Sequence, residues 1–329
     1  MSYIAVIGAG HWGTTLANLL AEKGYDVSLW AFEKGLADEI SRTGINSVYL
    51  PGIPLSPKIK ATGNIRDAVE NTRYILNVVP TQFTRSVFSG AAGFITDDAQ
   101  IISASKGIEH GTLMTVSSVL RELTGHEIAV LSGPSFAEEV IRKLPAAVTI
   151  AANNHDTALL LQDVFNTDYF RVYTNTDVLG VELGGALKNV MAIASGISDG
   201  LGLGASTRAA LITRGLAEMI RLGVAMGARE KTFEGLSGLG DLVLTCTGTL
   251  SRNYTVGFKL GRGGKLTEIL SKMKMVAEGV ATSKSAYELS RKHNAEMPII
   301  EQIYKVVNED KKPFDAVKEL MTRSLKAEY

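Results

Sequence analysis

A glycine-rich turn near the start of the chain most constrains its fold. The opening residues read YIAVIGAGHWGTTLANLL, in which Gly8, Gly10 and Gly13 have the spacing G-x-G-x-x-G. The apolar run before the turn predicts a buried strand, and the periodicity after it predicts an amphipathic helix. In such a unit the first glycine permits a tight turn and the third lets the helix pack closely on the strand. The chain therefore begins as a strand–turn–helix unit of a doubly wound sheet.

The same turn predicts a nucleotide site. Free backbone N–H groups at the start of a helix favour phosphate, and the second glycine, Gly10, lets a pyrophosphate approach the backbone. We therefore predict that the segment from Gly8 to Gly13 binds a nicotinamide dinucleotide.

The end of the next strand bears on the choice of dinucleotide. At this position an acid binds the ribose 2′-hydroxyl of NAD, whereas an arginine accommodates the 2′-phosphate of NADP. The segment DVSLWAFEK ends in Phe32, Glu33 and Lys34, an acid followed by a base. Glu33 favours NADH, and the sequence leaves the preference between NADH and NADPH open.

Short apolar runs alternate with helical patterns as far as about residue 175. Several runs are continuously hydrophobic, as is typical of strands buried on both faces of a parallel sheet. The predicted strands are Tyr3–Ile7, Val27–Trp30, Tyr74–Val79, Gln100–Ala104, Ile128–Leu131, Ala147–Ala151 and Phe170–Tyr173. The predicted fold class is α/β, with an N-terminal doubly wound Rossmann-type sheet (residues 1–178) followed by a mostly α-helical C-terminal domain (residues 179–329).

Helical patterns dominate the second half of the chain. The predicted helices are Val178–Ile197, Thr207–Met226, Tyr254–Leu260, Ala281–His293 and Ile299–Asn308. Two glycine-rich stretches, at residues 196–206 and 234–241, are predicted to be connections between helices.

Charge and cysteine content exclude several classes of protein. Lysine plus arginine (34) balance aspartate plus glutamate (34), which gives no electrostatic reason to expect nucleic acid as a partner. The single cysteine, Cys246, excludes an intrachain disulfide and a multi-cysteine zinc site, and we predict no bound metal. We find neither a signal peptide nor an apolar run of about 18 residues that could span a bilayer. We expect a cytoplasmic protein without integral membrane association.

One lysine lies in otherwise small and apolar company, in the segment GGALKNVMAIASG. On a helix, Lys188 shares its face with Gly184, Ala192 and Ser195, so another backbone or a ligand can come close. Burial favours the neutral amine and a nearby acid opposes that effect, so a lysine in such a place can act as a tuned proton donor.

Two further segments combine polar residues with predicted strand ends. Lys106, in ISASKGIE, follows a buried strand at the edge where open α/β sheets bind ligands. In LSGPSFAEEV, Ser135 and Glu138 have the spacing of a capping box at a helix start, where N–H groups could also face an anion.

The segment LSGLGDLVLTCTGTLSRNYTVG supplies an acid and a candidate phosphate site. Asp241 is a natural partner for a buried lysine. Ser251 has the character of an N-cap, which would place Arg252 and Asn253 in the first helical turn. Arginine, an amide side chain and a helix N-terminus together suit a phosphate group.

Taken as a set, these segments resemble the bacterial NAD(P)-dependent glycerol-3-phosphate dehydrogenases. The resemblance rests on GAGHWGTTLA, NVVPTQ, SASKGIE, SGPSFAEEV, ELGGALKNVMAIASG, GLGDLVLTCTGTLSRN and VAEGV, in this order. It covers essentially the whole chain. It implies reversible reduction of dihydroxyacetone phosphate to sn-glycerol 3-phosphate, a precursor of glycerophospholipids, by a homodimer whose active site needs both domains.

The resemblance also implies roles for individual residues. Lys188 matches the catalytic acid/base of the family, and Lys106 and Asp241 match its active-site partners. The remaining positions that would contact substrate are Gly133, Ser135, Ser251, Arg252 and Asn253, with Thr245 close by. The positions that would contact cofactor, besides the glycine turn, are His11, Trp12, Phe32, Tyr49, Lys106, Ala137, Arg252, Val276 and Glu278.

The chain departs from the family pattern at two places. His11 stands where serine is frequent, and Phe32-Glu33 stands where arginine is frequent, which leaves the expected NADPH preference open. Two other functions remain to be weighed. One is a related dehydrogenase of a 3-hydroxy acid or of ketopantoate, which would lack the Ser251-Arg252-Asn253 segment. The other is a regulator that senses NAD(P) without catalysis, which would lack a second functional site.

Overall fold

The computed structural model describes residues 3–273 and 275–328 and divides into two compact units. Among these residues, the first unit comprises 3–106 and 114–182, and the second comprises 107–113, 183–273 and 275–328. The first unit is built on a sheet and the second is helical, so the predicted fold class is confirmed.

The sheet of the first unit has eight strands in the order β3-β2-β1-β4-β5-β6-β7-β8. Their bounds are β1 Tyr3–Ile7, β2 Asp26–Trp30, β3 Ile59–Thr62, β4 Tyr74–Asn77, β5 Gln100–Ser103, β6 Ile128–Ser132, β7 Ala146–Ala151 and β8 Phe170–Asn175. All neighbours are parallel except β6 and β7, which run antiparallel. The order of the strands along the chain reverses direction in the sheet between β1 and β4. The glycine turn after β1 lies at this switch point, where such folds bind ligands.

Helices cover both faces of the sheet. They are α1 His11–Glu22, α2 Leu36–Thr43, α3 Ile65–Val69, α4 Thr81–Ala91, α5 Val116–Thr124, α6 Ala137–Ile141 and α7 His155–Phe165. Side chains alternate along β1: Ile4 and Val6 pack in one apolar cluster with Leu16 of α1, whereas Ile7 packs in another with Phe88 of α4. Burial on both faces explains why the strand sequences are continuously hydrophobic.

All seven predicted strands are confirmed, and the eighth, β3, was missed. Its sequence, IKAT, lies at the sheet edge with Lys60 exposed and its other residues partly buried. An edge strand of this length does not need the apolar run by which the inner strands were recognised.

The second unit is built from α8 Val178–Gly200, which begins in the first unit, and the helices that follow it. These are α9 Gly204–Ala225, α10 Glu230–Phe233, α11 Asp241–Thr247, α12 Arg252–Gly261, α13 Leu266–Ser271, α14 Glu278–Lys292, α15 Pro298–Asn308 and α16 Pro313–Met321. The five predicted helices are confirmed, and the short α10, α11, α13 and α16 were missed.

Both predicted glycine-rich connections were largely wrong. Residues 196–200 continue α8, and α9 already begins at Gly204. Residues 236–240 form a π-helical turn that leads directly into α11. Glycines in both segments let helices pack closely. A segment that is rich in glycine for this reason has the same composition as a flexible connection.

Helix α8 is the core helix of the second unit. The sequence analysis identified no apolar run that could span a bilayer. In the structure, α8 is long enough and, with a mean hydropathy of 1.3, apolar enough to cross a membrane, but 94% of the window that meets this criterion is buried by the protein. The interior of a folded domain therefore accounts for its apolar character.

Glycines bring α8 and α12 into backbone contact. A Cβ atom on Gly196 would lie less than 3.0 Å from the Tyr254 carbonyl oxygen, and one on Gly257 less than 3.0 Å from the Ile193 carbonyl oxygen. No larger residue fits at these crossings without moving a helix. The crossing therefore sets where α12 begins relative to the middle of α8.

Candidate active site

The glycine turn of the first unit has the geometry of a phosphate cradle. Gly8 has a φ of +117°, which L side chains rarely adopt, and a Cβ on Gly13 would lie less than 3.0 Å from the Gly8 carbonyl oxygen. Around Gly10, by contrast, the described part of the chain leaves a Cβ position open to 4 Å. The first and third glycines thus shape the turn, and the second leaves free space beside the start of α1.

A buried asparagine that sequence reasoning missed supports this turn from behind. Asn46 Nδ2 donates to the Ala9 carbonyl oxygen at 2.9 Å and to Thr14 Oγ1 at 2.9 Å. The Thr14 hydroxyl donates to the same Ala9 carbonyl at 3.1 Å. The peptide inside the turn is therefore held by two side chains, one of them from the loop after α2.

The carboxylate after β2 is hydrogen-bonded. Tyr49 donates its hydroxyl to Glu33 Oε1 at 2.5 Å. Phe32, beside it, is 77% exposed, with its ring edge-on to Trp30 at 6.2 Å between centroids. The first unit thus offers an acid and an exposed aromatic ring where the sequence predicts contact with a ribose.

The other positions of the first unit that the sequence predicts to contact the cofactor lie at helix starts. His11 and Ala137 begin α1 and α6. The buried indole N–H of Trp12 has no hydrogen-bond partner among residues 3–273 and 275–328. This buried donor, the open space at Gly10 and the acid after β2 together fit a dinucleotide, although contact with one stays a prediction.

Lys106 lies just past β5, and its ammonium group donates to the Gly133 carbonyl oxygen at 3.0 Å. Ser135 Oγ donates to the same carbonyl at 3.2 Å. The predicted capping box is wrong, because α6 begins at Ala137 and Phe136 occupies its N-cap without a side-chain hydrogen bond. The structure brings Lys106, Gly133 and Ser135 together at the end of β5 and β6.

Lys188 is buried and paired within the second unit. Its side-chain nitrogen lies 2.5 Å from Asp241 Oδ1 and 2.7 Å from Thr245 Oγ1. The lysine is 7% exposed and the aspartate 1%. Because a buried charge is costly unless it is paired, this aspartate stabilises the ammonium form of the lysine. The predicted burial and the predicted acidic partner are both confirmed.

The small residues around Lys188 make room for other backbone segments of the second unit. A Cβ on Gly184 would lie 2.5 Å from the Ser237 carbonyl oxygen, in the π-helical turn before α11. Ser195 donates its hydroxyl to the Cys246 carbonyl at 2.8 Å. The backbone that the sequence predicts to approach Lys188 is thus that of α11 and the turn before it. This approach places Asp241 next to the lysine.

The helix start predicted at Ser251 is confirmed. Ser251 Oγ accepts from the Tyr254 backbone N–H at 3.2 Å, so Arg252 and Asn253 occupy the first turn of α12. Arg252 is exposed, whereas Asn253 is buried. A cationic side chain and a helix N-terminus therefore coincide here, as phosphate binding requires.

The amide of Asn253 links three helices. Its Nδ2 donates to Asn189 Oδ1 at 2.9 Å, and its Oδ1 accepts from the Gly279 N–H at 2.9 Å. The sequence analysis did not identify Asn189. This residue stands beside Lys188 in the same apolar helix and is likewise a polar residue among apolar ones. The contact of Asn253 with substrate stays a prediction, as do those of Val276, which is exposed, and Glu278, which begins α14.

The thiol of Cys246 should be unreactive in the folded protein. The residue is 1% exposed, and burial raises the pKa of its thiol to about 12, so it stays protonated at neutral pH. Because the thiolate is the reactive form, we expect alkylation near pH 8 to be at least about a thousandfold slower than in the unfolded chain. Mass spectrometry after iodoacetamide treatment, with and without guanidinium, measures this ratio; rapid labelling of the folded protein would contradict it.

The two units together define a class of protein. A dinucleotide-type turn on a doubly wound sheet, with a separate buried lysine–carboxylate pair, is characteristic of nicotinamide-dependent oxidoreductases. Among the described residues no group of three His, Cys, Asp or Glu side chains could hold a metal ion.

Comparison with known proteins identifies the family. Residues 3–158 match the model for the N-terminus of NAD-dependent glycerol-3-phosphate dehydrogenase, and residues 177–318 match that for its C-terminus. The enzymes named glycerol-3-phosphate dehydrogenase [NAD(P)+] of Citrifermentans bemidjiense and Geobacter sulfurreducens are 57% and 56% identical, each over 99% of this chain and 98% of the relative. The chain belongs to the NAD-dependent glycerol-3-phosphate dehydrogenase family and is an oxidoreductase that uses NADH or NADPH.

Solved structures agree with this assignment. The glycerol-3-phosphate dehydrogenase of Coxiella burnetii superposes with a TM-score of 0.94 at 42% identity, covering 98% of this chain and 99% of that one. A ketopantoate reductase from Ralstonia eutropha reaches a TM-score of 0.62 over 96% of this chain and 100% of that one, at 16% identity, which shows a shared fold alone. The family assignment thus favours glycerol-3-phosphate dehydrogenase over both alternatives that the sequence left open.

Proposed function

We propose that this chain catalyses the reversible reduction of dihydroxyacetone phosphate to sn-glycerol 3-phosphate, with Lys188 as the general acid/base. The observation that carries the assignment of the lysine is its buried contact with Asp241 and Thr245, at 2.5 Å and 2.7 Å. The test is oxidation of NADH or NADPH by the wild-type protein on addition of dihydroxyacetone phosphate, with sn-glycerol 3-phosphate identified as the product.

The lysine is arranged to move one proton. In the direction of reduction, its ammonium group donates a hydrogen bond and then a proton to the oxygen on C2 of the ketone. In the reverse direction the neutral amine takes the proton of the C2 hydroxyl. Asp241 favours the charged form of the lysine before the transfer. Thr245 helps to keep the lysine side chain in one orientation, because the threonine hydroxyl also donates to the Asp241 backbone carbonyl at 2.6 Å.

The first unit would hold the cofactor. The turn from Gly8 to Gly13 would bind the pyrophosphate at the start of α1, and Lys106 would contact the reacting end of the dinucleotide and the substrate. Bound NADH or NADPH supplies the hydride that reduces C2. The protein supplies orientation, a phosphate cradle and a proton at Lys188.

The start of α12 would bind the substrate phosphate. Arg252 is exposed there beside the free N–H groups of the helix, and Ser251 caps the same turn. A phosphate held at this point is remote from the carbon that reacts, so its binding orients the carbonyl without taking part in the chemistry.

Replacing Arg252 should mainly weaken substrate binding. We expect Arg252→Ala to raise the KM for dihydroxyacetone phosphate by about 10- to 100-fold, because a charge-assisted hydrogen bond contributes about 1.5–3 kcal/mol. Steady-state kinetics measures KM and kcat separately. Arg262→Ala, at the other end of α12 with its guanidinium 5.5 Å from the Phe258 ring, is the matched control and should leave KM unchanged. An unchanged KM for Arg252→Ala would remove this residue from the phosphate site.

We further propose that the protein is a cytoplasmic homodimer whose product serves glycerophospholipid synthesis. The support is the resemblance of the whole chain to the bacterial family, together with the burial of α8. Sedimentation equilibrium tests the dimer, and phospholipid content after depletion of the protein tests its role in synthesis.

A further inference from the structure

The Glu33 carboxylate has one oxygen engaged and one available. Oε1 accepts the Tyr49 hydroxyl at 2.5 Å, and no hydrogen bond to Oε2 is present within the described residues. Glu33 itself is exposed, three residues beyond the end of β2. A carboxylate fixed through one oxygen keeps the other free to accept from a ligand hydroxyl.

The loop that carries Tyr49 is anchored to the glycine turn. Asn46 Oδ1 accepts from the Tyr49 backbone N–H at 3.1 Å, and Asn46 Nδ2 donates to the Ala9 carbonyl at 2.9 Å. The Leu50 N–H donates to the Asn46 carbonyl at 2.8 Å, and Leu50 is buried. A single asparagine thus fixes both the nucleotide turn and the tyrosine that holds the acid.

We propose that Tyr49 is a specificity-determining residue, which holds the Glu33 carboxylate in place so that the dinucleotide site selects NADH over NADPH. The inference rests on the proposed function, since it assigns a preference to the same cofactor site. The tyrosine acts by orienting the acid, and Asn46 acts by positioning the tyrosine.

Charge explains the direction of the preference. A carboxylate at this place can accept from the ribose 2′-hydroxyl of NADH, whereas the 2′-phosphate of NADPH would bring a second negative group beside it. Burial and the hydrogen bond to Glu33 raise the pKa of Tyr49 to about 12, so the phenol stays a donor throughout the neutral range. The tyrosine therefore stays available as the hydrogen-bond donor to Glu33 whenever the site is in use.

Lys34 is the competing influence. It is exposed next to Glu33 and forms no ion pair within residues 3–273 and 275–328, so it could attract a 2′-phosphate. We expect Glu33 to influence the cofactor preference more than Lys34 does. The Glu33 carboxylate is already held by Tyr49, whereas an exposed lysine loses side-chain entropy when it is fixed on a ligand.

Direct binding tests the proposal without relying on turnover. Dissociation constants of NADH and NADPH are measured by titration calorimetry for wild type, Tyr49→Phe, Glu33→Gln and the double variant. We expect wild type to bind NADH at least about tenfold more tightly, which corresponds to about 1.4 kcal/mol. Tyr49→Phe should reduce this ratio at least about threefold, and Glu33→Gln should remove most of it. In the Glu33→Gln background, adding Tyr49→Phe should change the ratio no further.

The control is Tyr3→Phe, which removes an exposed phenol at the opposite end of the first unit's strands and should leave the ratio unchanged. Tighter binding of NADPH by wild type would overturn the proposal, as would an unchanged ratio in Tyr49→Phe or an equal effect of this substitution with and without Glu33. Failure of wild type to bind either dinucleotide would overturn the proposed function together with it, whereas binding of both with a ratio insensitive to Tyr49 would overturn this inference alone.

Discussion

Replacing Lys188 by alanine should lower kcat for dihydroxyacetone phosphate by about 10²- to 10⁴-fold, the range that general acid catalysis contributes. The physical reason is the loss of the side chain that we propose as the proton donor for the C2 oxygen. Lys188→Arg should be nearly as inactive, because arginine keeps the positive charge but does not release a proton near neutral pH. Single-turnover oxidation of bound NADH measures the affected step directly.

The size of the effect must be separated from loss of structure. Removing Lys188 leaves Asp241 buried without its cation, and breaking such a pair costs about 3–5 kcal/mol of stability. The double variant Lys188→Ala, Asp241→Asn removes both charges and should recover stability without recovering activity. Lys259→Ala, an exposed lysine of α12, is the matched control and should retain wild-type turnover. Near-normal turnover of folded Lys188→Ala would exclude this lysine as the acid.

Replacing Gly257 by alanine should destabilise the second unit and displace the start of α12. The added methyl group would lie less than 3.0 Å from the Ile193 carbonyl oxygen, and a backbone neighbour cannot move aside as a side chain can. Overpacking of this kind costs about 1–3 kcal/mol. We expect the midpoint of thermal unfolding to fall by about 5 °C. The KM for dihydroxyacetone phosphate should rise as well, because Arg252 begins the helix that must shift.

A glycine elsewhere provides the control for this substitution. Gly90 lies in α4, and the described residues leave the position of its Cβ free of contacts within 4 Å. Gly90→Ala should leave KM unchanged and stabilise the protein by about 0.5–1 kcal/mol, since alanine has the higher helix propensity. If Gly257→Ala were as stable as Gly90→Ala, close backbone packing would not be what determines the α8–α12 crossing.

The sequence was most informative where one residue broke a clear pattern. Lys188 was recognised because a charge interrupts an apolar helix, and the acid at Asp241 followed as its partner; the structure places them 2.5 Å apart. The glycine turn was recognised because strand and helix flank it, so spacing and context agree. The inner strands were recognisable because burial on both faces requires continuous hydrophobicity.

What the sequence could not predict depends on contacts between distant segments. The bond between Tyr49 and Glu33 joins residues on different loops, and no local pattern specifies which side chains meet there. Asn46 is an ordinary asparagine until the fold brings Ala9 to it, and the partner of Asn189, Asn253, lies 64 residues further along the chain. The edge strand β3 escaped detection for a related reason, since a partly buried strand needs no apolar signature.

Chemical rescue of Lys188→Ala tests the central claim most directly. A small primary amine, such as methylamine, can occupy the space of the missing side chain and supply the proton to the C2 oxygen. We predict that turnover of dihydroxyacetone phosphate by Lys188→Ala rises with amine concentration to a saturating value, and that it depends on the basicity of the amine, while Lys188→Arg and wild type show no such increase. Wild-type activity on dihydroxyacetone phosphate combined with no rescue of folded Lys188→Ala by any of a series of small amines would contradict the assignment of Lys188 as the proton donor.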